Sequence, residues 1–221
     1  MSKKKEKNAK KEEKEEKDQN SLTFKIITLG DSGVGKTSII NRYVNNKFSD
    51  NTYSTVGVNF SIKELYFNEQ KINLKLIDTC GQEKYQSLTK AYLKNTDACF
   101  FIFALNDKES FENIKNWMVL FNEQHNIKDI PVMLLGNKSD LKNEIDDNLI
   151  NEFVKSNNIK YLETSAKEKK NINESMEELG KMLYQKHNGS DKQHHKEIII
   201  SNKKPKKKKN CNTWINDFLH L

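Results

Sequence analysis

Residues 30–37 read Gly-Asp-Ser-Gly-Val-Gly-Lys-Thr, and no other stretch of the 221 residues limits the fold so strongly. The run before it, Phe24-Lys25-Ile26-Ile27-Thr28-Leu29, is short, apolar and β-branched, as a buried strand is. The run after it, Ser38 to Val44, has helical character. Strand, glycine loop and helix together make a phosphate-binding loop. Its glycines let successive backbone N–H groups turn toward one point, where the helix N-terminus adds partial positive charge. Ser32, Gly33, Val34, Gly35, Lys36, Thr37 and Ser38 are therefore the candidate phosphate residues. Lys36 can reach the β- and γ-phosphates of a nucleotide, and the Thr37 hydroxyl can ligate Mg²⁺.

The length suits one α/β domain with tails. Formal charge is +7, but it is unevenly placed. Residues 1–18 carry 8 lysines against 6 acidic residues, and residues 186–221 carry 9 against 3, so the middle of the chain is close to neutral. A near-neutral globular part argues against a nucleic-acid-binding core. Cys80, Cys99 and Cys211 form no disulfide framework, and the first two sit inside the domain pattern, where reduced thiols are expected in a cytosolic protein. No apolar run reaches the roughly 18 residues that span a bilayer. The expectation is a cytoplasmic protein or one peripheral to a membrane.

Residues 1–20 form a Lys/Glu run without an apolar stripe and read as a disordered, solvated arm. A domain is expected over 21–187 and a flexible basic tail over 188–221. Val58 to Phe67 and Ile72 to Ile77 read as strands joined by a hairpin turn at Asn68-Glu69-Gln70-Lys71. Further strands are expected at Ala98 to Leu105, Pro131 to Leu135 and Ile159 to Leu162. Helices are expected at Glu109 to Gln124, Asp146 to Ser156 and Asn173 to Lys186. Alternating strands and helices imply an α/β fold with a mainly parallel sheet covered on both faces, its early hairpin making one edge antiparallel. A ligand then belongs at the C-terminal ends of the strands.

A phosphate loop does not by itself distinguish GTP from ATP. Asn137-Lys138-Ser139-Asp140, just after a predicted buried strand, addresses the base. Guanine presents N1–H and N2–H₂ as adjacent donors, and one carboxylate, Asp140, can accept both. Asn137 can tie neighbouring loops together, and the Lys138 stem can lie along the ring. Asp78-Thr79-Cys80-Gly81-Gln82-Glu83 ends a hairpin strand. Asp78 can hold Mg²⁺ directly or through water, Gly81 offers an unobstructed N–H to the γ-phosphate, and Gln82 can orient attacking water. Gln82 and Lys36 are the candidate catalytic residues. Thr55 offers a second hydroxyl to Mg²⁺, although spacing alone fits an ordinary loop threonine.

In this order, over about residues 22–186, these motifs resemble the small Ras-like GTPases, and more narrowly the Rab branch that organises vesicle traffic. The Rab-like stretches are Gly30-Asp31-Ser32-Gly33, Ser54-Thr55-Val56-Gly57-Val58-Asn59-Phe60 and Tyr85-Gln86-Ser87-Leu88-Thr89, with Glu163-Thr164-Ser165-Ala166-Lys167 as a further family motif. The resemblance implies the small G-protein fold, a six-stranded, mostly parallel sheet with one antiparallel edge strand. It implies that Phe48 packs on the base, that Ser165, Ala166 and Lys167 support guanine, and that Thr55 closes over Mg²⁺ and the γ-phosphate. Loops at 48–56 and 79–92 become the two switches, with Phe60 and Tyr85 on a state-dependent effector face. The implied cofactors are GTP or GDP with Mg²⁺. The resemblance implies effectors and an exchange factor that releases tightly held GDP; a GTPase-activating protein is expected because Arg42, the only arginine, lies outside both switches and cannot act as an internal arginine finger.

Departures from the family are specific. Ile77 stands where Rab proteins usually carry Trp, and Cys80 where they carry Ala. A GTP-binding scaffold with little hydrolysis is the alternative these substitutions raise, and the retained Gln82 argues against it. No terminal cysteine provides the standard prenylation signal, and Ser2 does not fit N-myristoylation. The run Lys203 to Lys209 with Trp214, Ile215, Phe218 and Leu219 admits three readings: binding to an anionic membrane surface with Cys211 acylated, an unlipidated soluble tail, or a nuclear localisation signal.

Overall fold

The computed structural model describes residues 21–50, 55, 57–67, 70–81 and 86–201, with side chains throughout except at 86, 88 and 190–201. The arm 1–20, Val56, the turn residues Asn68 and Glu69, Gln82 to Tyr85, and the basic tail from residue 202 with Cys211 lie outside the described residues. The chain divides into two units, Met1–Gln185 and Lys186–Leu221.

Within the first unit, six strands form one sheet: β1 (Leu22–Leu29), β2 (Val58–Phe67), β3 (Gln70–Thr79), β4 (Ala98–Ala104), β5 (Val132–Asn137) and β6 (Lys160–Glu163). Their spatial order is β2-β3-β1-β4-β5-β6. Every pair is parallel except β2 with β3, whose register runs from Val58 opposite Thr79 to Phe67 opposite Gln70. The expected sheet with its antiparallel edge is therefore present.

Period-two alternation sorts each central strand between two cores. On β4, Ala98, Phe100, Ile102 and Ala104 face one side, and Cys99, Phe101 and Phe103 the other. The first side is covered by α1 (Lys36–Asn45) through Ile39, Ile40 and Tyr43, and by α6 (Ile172–Ser201) through Met176, Leu179 and Leu183. The second side is covered by α2 (Gln86–Leu93), α3 (Lys108–Glu112), α4 (Ile114–Asn122) and α5 (Asp147–Asn157), with Phe111, Trp117, Phe121 and Ile150 buried there. Phe121 meets Phe101 edge-on, with centroids 5.7 Å apart, a geometry that contributes about 0.5–1.5 kcal/mol beyond area burial.

Three expectations are corrected. The single helix over Glu109–Gln124 is two helices, α3 and α4, separated at Asn113. There the Asn116 N–H bonds the Asn113 carbonyl at 2.9 Å in a tighter three-residue turn, and the Asn113 side chain reaches across to Asp31. The stretch 79–92, expected as a loop, ends in helix α2, because Thr89 and Leu93 bury against the sheet. The last helix continues past Lys186 to Ser201; its apolar stripe stops near Leu183, but no proline interrupts the chain before Pro205. Asp146 caps α5 as its position suggested, its carboxylate accepting from the Asn148 N–H at 2.9 Å.

Candidate functional site

The loops following β1, β3, β5 and β6 all leave from the C-terminal edge of the parallel strands. Strand order reverses direction across β1 and β4, which opens a crevice at that edge. A cavity of about 300 Å³ lies there. Its walls include Ser32, Gly33, Gly35, Lys36, Thr37 and Ser38 from the first loop, Phe48 and Thr55 from the next, Gly81, then Asn137, Lys138 and Asp140, then Ala166 and Lys167. Residues as far apart in sequence as 32 and 167 are thus brought to one place.

At one end, Lys36 is only 5 % exposed. Its ammonium donates to the Gly30 carbonyl at 2.8 Å and the Asp31 carbonyl at 2.7 Å, so the side chain folds back over its own loop. Burial pushes its pKa down to about 8, against the opposing pull of Asp78, Cys80 and Asp31. A phosphate oxygen arriving here would favour the charged form further and raise that pKa. Gly81 has no room for a side chain: a Cβ would stand 2.4 Å from Lys36 Nζ and 2.3 Å from the Asp31 backbone.

Beside Lys36, Thr37 Oγ1 donates to Asp78 Oδ2 at 2.7 Å and lies 2.7 Å from Thr55 Oγ1. Asp78 is 3 % exposed, yet its Oδ1 has no hydrogen-bond partner among the described residues. Desolvation raises the Asp78 pKa, partly offset by the Thr37 hydrogen bond and Lys36. An enclosed carboxylate oxygen without a donor, beside two hydroxyl oxygens, is a hard-oxygen set that fits Mg²⁺. Among the described residues no three His, Cys, Asp or Glu side chains cluster as a self-sufficient metal cage. The set suits an ion whose remaining ligands come from phosphate and water.

The other end is built by Asn137. Its amide donates to the Val34 carbonyl at 2.8 Å, and its Oδ1 accepts from the Ala166 N–H and the Thr164 hydroxyl, each at 3.3 Å. One buried side chain therefore joins the loops after β1, β5 and β6. Gly35, at φ 99°, passes so close that a Cβ would meet the Asn137 amide nitrogen at 2.2 Å. Lys138 adopts a left-handed φ of 64°, which costs a non-glycine residue on the order of 1–2 kcal/mol. The turn is held by the Ser139 N–H on the Thr164 carbonyl at 3.0 Å and returns Asp140 to the cavity. Ser165 Oγ then donates to Asp140 Oδ1 at 2.6 Å, fixing that carboxylate's orientation.

Val34, Asp78 and Ser165 are buried and lie outside the cavity lining; Val34 and Ser165 hold Asn137 and Asp140, whereas Asp78 keeps one oxygen without a partner among the described residues. Gln82 lies outside the described residues. Cys80 is 2 % exposed with a free thiol. Ile77 is fully buried on the sheet, while Phe60 is 49 % exposed and its ring meets Tyr92 with centroids 5.5 Å apart.

Sequence reasoning missed how the phosphate loop is braced from outside. Asp31 accepts from Trp117 Nε1 at 2.7 Å through one oxygen and from Asn113 Nδ2 at 2.8 Å through the other. No local pattern around residue 31 points to partners more than eighty positions away. Ser49, Asp50, Thr79 and Leu141 also line the cavity without having been singled out.

Comparison with known proteins agrees with this arrangement. Residues 25–185 match the Ras family model. The chain is 35 % identical over 196 residues to Ras-related protein Rab-9A of Rattus norvegicus, covering 86 % of this chain and 98 % of that one. It is 41 % identical over 159 residues to RABG3b of Arabidopsis thaliana, covering 68 % and 78 %. To Rab7 of Pisum sativum it is 39 % identical over 166 residues, covering 71 % and 80 %.

Proposed function

Because this chain belongs to the Ras family of small GTPases, in its Rab branch, we propose a specific division of labour within its nucleotide site. The protein is a Rab-like GTPase of vesicle trafficking that binds guanine nucleotide and hydrolyses GTP. In the proposed arrangement, Ser32 to Ser38 cradle the phosphates and the Lys36 ammonium exchanges its carbonyl partners for phosphate oxygens. Thr37, Thr55 and Asp78 would hold Mg²⁺. When bound, that ion supplies charge neutralisation on the phosphates. Gly81 presents its N–H to the γ-phosphate, and Gln82 orients the attacking water. Asp140 accepts the two donors of guanine, braced by Ser165. Asn137 and Lys138 position the ring, Phe48 packs against it, and Ala166 and Lys167 present backbone N–H groups to it.

What carries this reading is the orphaned Asp78 Oδ1 beside the Thr37 and Thr55 hydroxyls. A structural cluster would satisfy that oxygen internally; a metal and phosphate site leaves it for the ligand.

Regulators and effectors act on such a switch, and we assign their contacts to the two loops flanking β2 and β3 and to the exposed Phe60. With no internal arginine at the phosphates, hydrolysis is slow until a partner supplies one, a gain of roughly 10³–10⁵-fold. We further propose peripheral association with endomembranes through the lysines at 203–209, which lie outside the described residues. No helix among the described residues is long and apolar enough to cross a membrane.

The deciding experiment is to denature the purified protein and identify the released nucleotide by chromatography. GDP is expected. Adenine nucleotide would overturn the base assignment, and GTP alone would show that hydrolysis has stalled.

A further inference from the structure

Arg42 is the only arginine in the chain and does not line the cavity. Its guanidinium is nevertheless heavily engaged. Nε donates to the Ala166 carbonyl at 2.7 Å, Nη2 to the Lys167 carbonyl at 3.0 Å, and Nη1 to the Asn46 carbonyl at 3.0 Å. Its Cζ stands 5.6 Å from the centroid of the Phe48 ring. These partners belong to the end of α1, the segment after it, and the loop after β6. Phe48, Ala166 and Lys167 are themselves cavity walls. One planar cation therefore spans the outside of the pocket and ties two of its walls to the helix that starts at the phosphate loop.

We propose that Arg42 is a positioning residue for guanine recognition, holding the Ala166-Lys167 backbone and the Phe48 ring so that the loop's amides meet the 6-oxo group of the base. The inference rests on the guanine-nucleotide reading above. Backbone N–H groups only donate, so this loop can read only acceptors on a base. Asp140 only accepts, so it reads donors, and it is tied to Ser165 at 2.6 Å. Guanine places its 6-oxo oxygen next to the N1–H that Asp140 would take. The carboxylate and the loop thus divide the base edge between them.

Ala166 is held from both ends. Its N–H bonds Asn137 Oδ1 at 3.3 Å on the inner side, and its carbonyl bonds Arg42 on the outer side. Without the guanidinium, the Ala166 and Lys167 carbonyls lose their only side-chain donor among the described residues, and the loop is held by the inner contact and by the bonds of Ser165 to Lys170 and Asp140. Lysine is no substitute, because an ammonium cannot serve three coplanar carbonyl directions while lying over a ring. The plainer role, an arginine capping the last turn of its own helix, accounts for the Asn46 contact but for none of the others.

The test uses the full chain as wild type, Arg42→Gln and Arg42→Lys. Four competitors displace a fluorescent guanosine diphosphate: GDP, its 6-thio analogue, in which sulfur is the weaker acceptor, inosine diphosphate, which lacks the 2-amino donor, and ADP. Both variants should release GDP about tenfold faster, as expected for loss of charge-assisted hydrogen bonds. In both, the preference for GDP over the 6-thio analogue should collapse toward one. Preference over inosine diphosphate, set by Asp140, should persist. Wild-type ratios for both analogues in a variant would overturn the proposal, whatever its melting temperature, and so would full restoration by lysine. If Arg42→Gln fails to fold, Arg42→Lys, which keeps the charge and stem, carries the same expectation. A wild-type protein that does not prefer GDP to ADP would instead defeat the guanine reading itself.

Discussion

The Thr37 hydroxyl donates to one oxygen of Asp78 at 2.7 Å, while the other oxygen of that carboxylate is enclosed and meets no donor among the described residues. This asymmetry reserves a lone pair beside two threonine hydroxyls. Asp78→Asn replaces a hard anionic ligand with a neutral amide. The variant should fold, yet its GDP release should no longer accelerate when a chelator is added. Stopped-flow release with and without chelator checks this; an unchanged chelator response would remove Asp78 from the metal set.

Asp140→Asn tests the base reader. The amide still accepts from N1–H but presents a donor where guanine presents its 2-amino group. Losing a charged hydrogen bond of this kind costs about 1.5–3 kcal/mol, so GDP affinity should fall at least about tenfold. Xanthosine diphosphate, with an acceptor at that position, should gain in compensation. Competition binding of the two nucleotides gives the answer directly, and a variant as selective for GDP as wild type would sink the assignment.

Burial lowers the Lys36 pKa from 10.5 to about 8. Between those values the unfolded chain binds the extra proton and the folded chain does not, so this residue makes stability rise with pH over that window. Its cost is fully present below about pH 8. Phosphate binding reverses the shift, so nucleotide binding near pH 9 should take up a proton. Calorimetry in buffers of different ionisation enthalpy reads that uptake, and Lys36→Met should abolish it.

Asp31 has both oxygens occupied, by Trp117 and by Asn113. Trp117→Phe keeps most of the packing area and removes one charge-assisted bond from a part-buried carboxylate. The expected loss is about 1–3 kcal/mol of stability, measured by urea unfolding of the nucleotide-bound protein. A neutral substitution would show that the brace contributes nothing to the phosphate loop's position.

Cys80 sits buried next to Gly81, where a Cβ would already collide with Lys36 Nζ and the Asp31 backbone. A thiol is larger than the methyl group usual here, and it stands one residue from the N–H assigned to the γ-phosphate. Cys80→Ala should raise the single-turnover rate by up to about tenfold, equivalent to roughly 1.4 kcal/mol of barrier. Equal rates would mean that the thiol is simply accommodated.

Local pattern determined a great deal. The near-continuous apolar run of Ala98 to Leu105, the strand–loop–helix context of Gly30 to Thr37, and the hairpin before Asp78 are properties of neighbouring residues, and they point to the sheet and to the edge at which a ligand sits. The chemistry of Lys36, Thr37, Asp78 and Asp140 was likewise legible, because side-chain type and strand-end position suffice to state it. Tertiary structure decided what spacing cannot encode. Asp31 meets Trp117 across 86 positions, and Arg42 meets Ala166 across 124. Asn113 likewise meets Asp31 across 82 positions, and the helix Gln86–Leu93 buries Thr89 and Leu93 on the sheet. Periodicity says which face of an element is apolar; which distant polar group that element will meet depends on how all the layers close together.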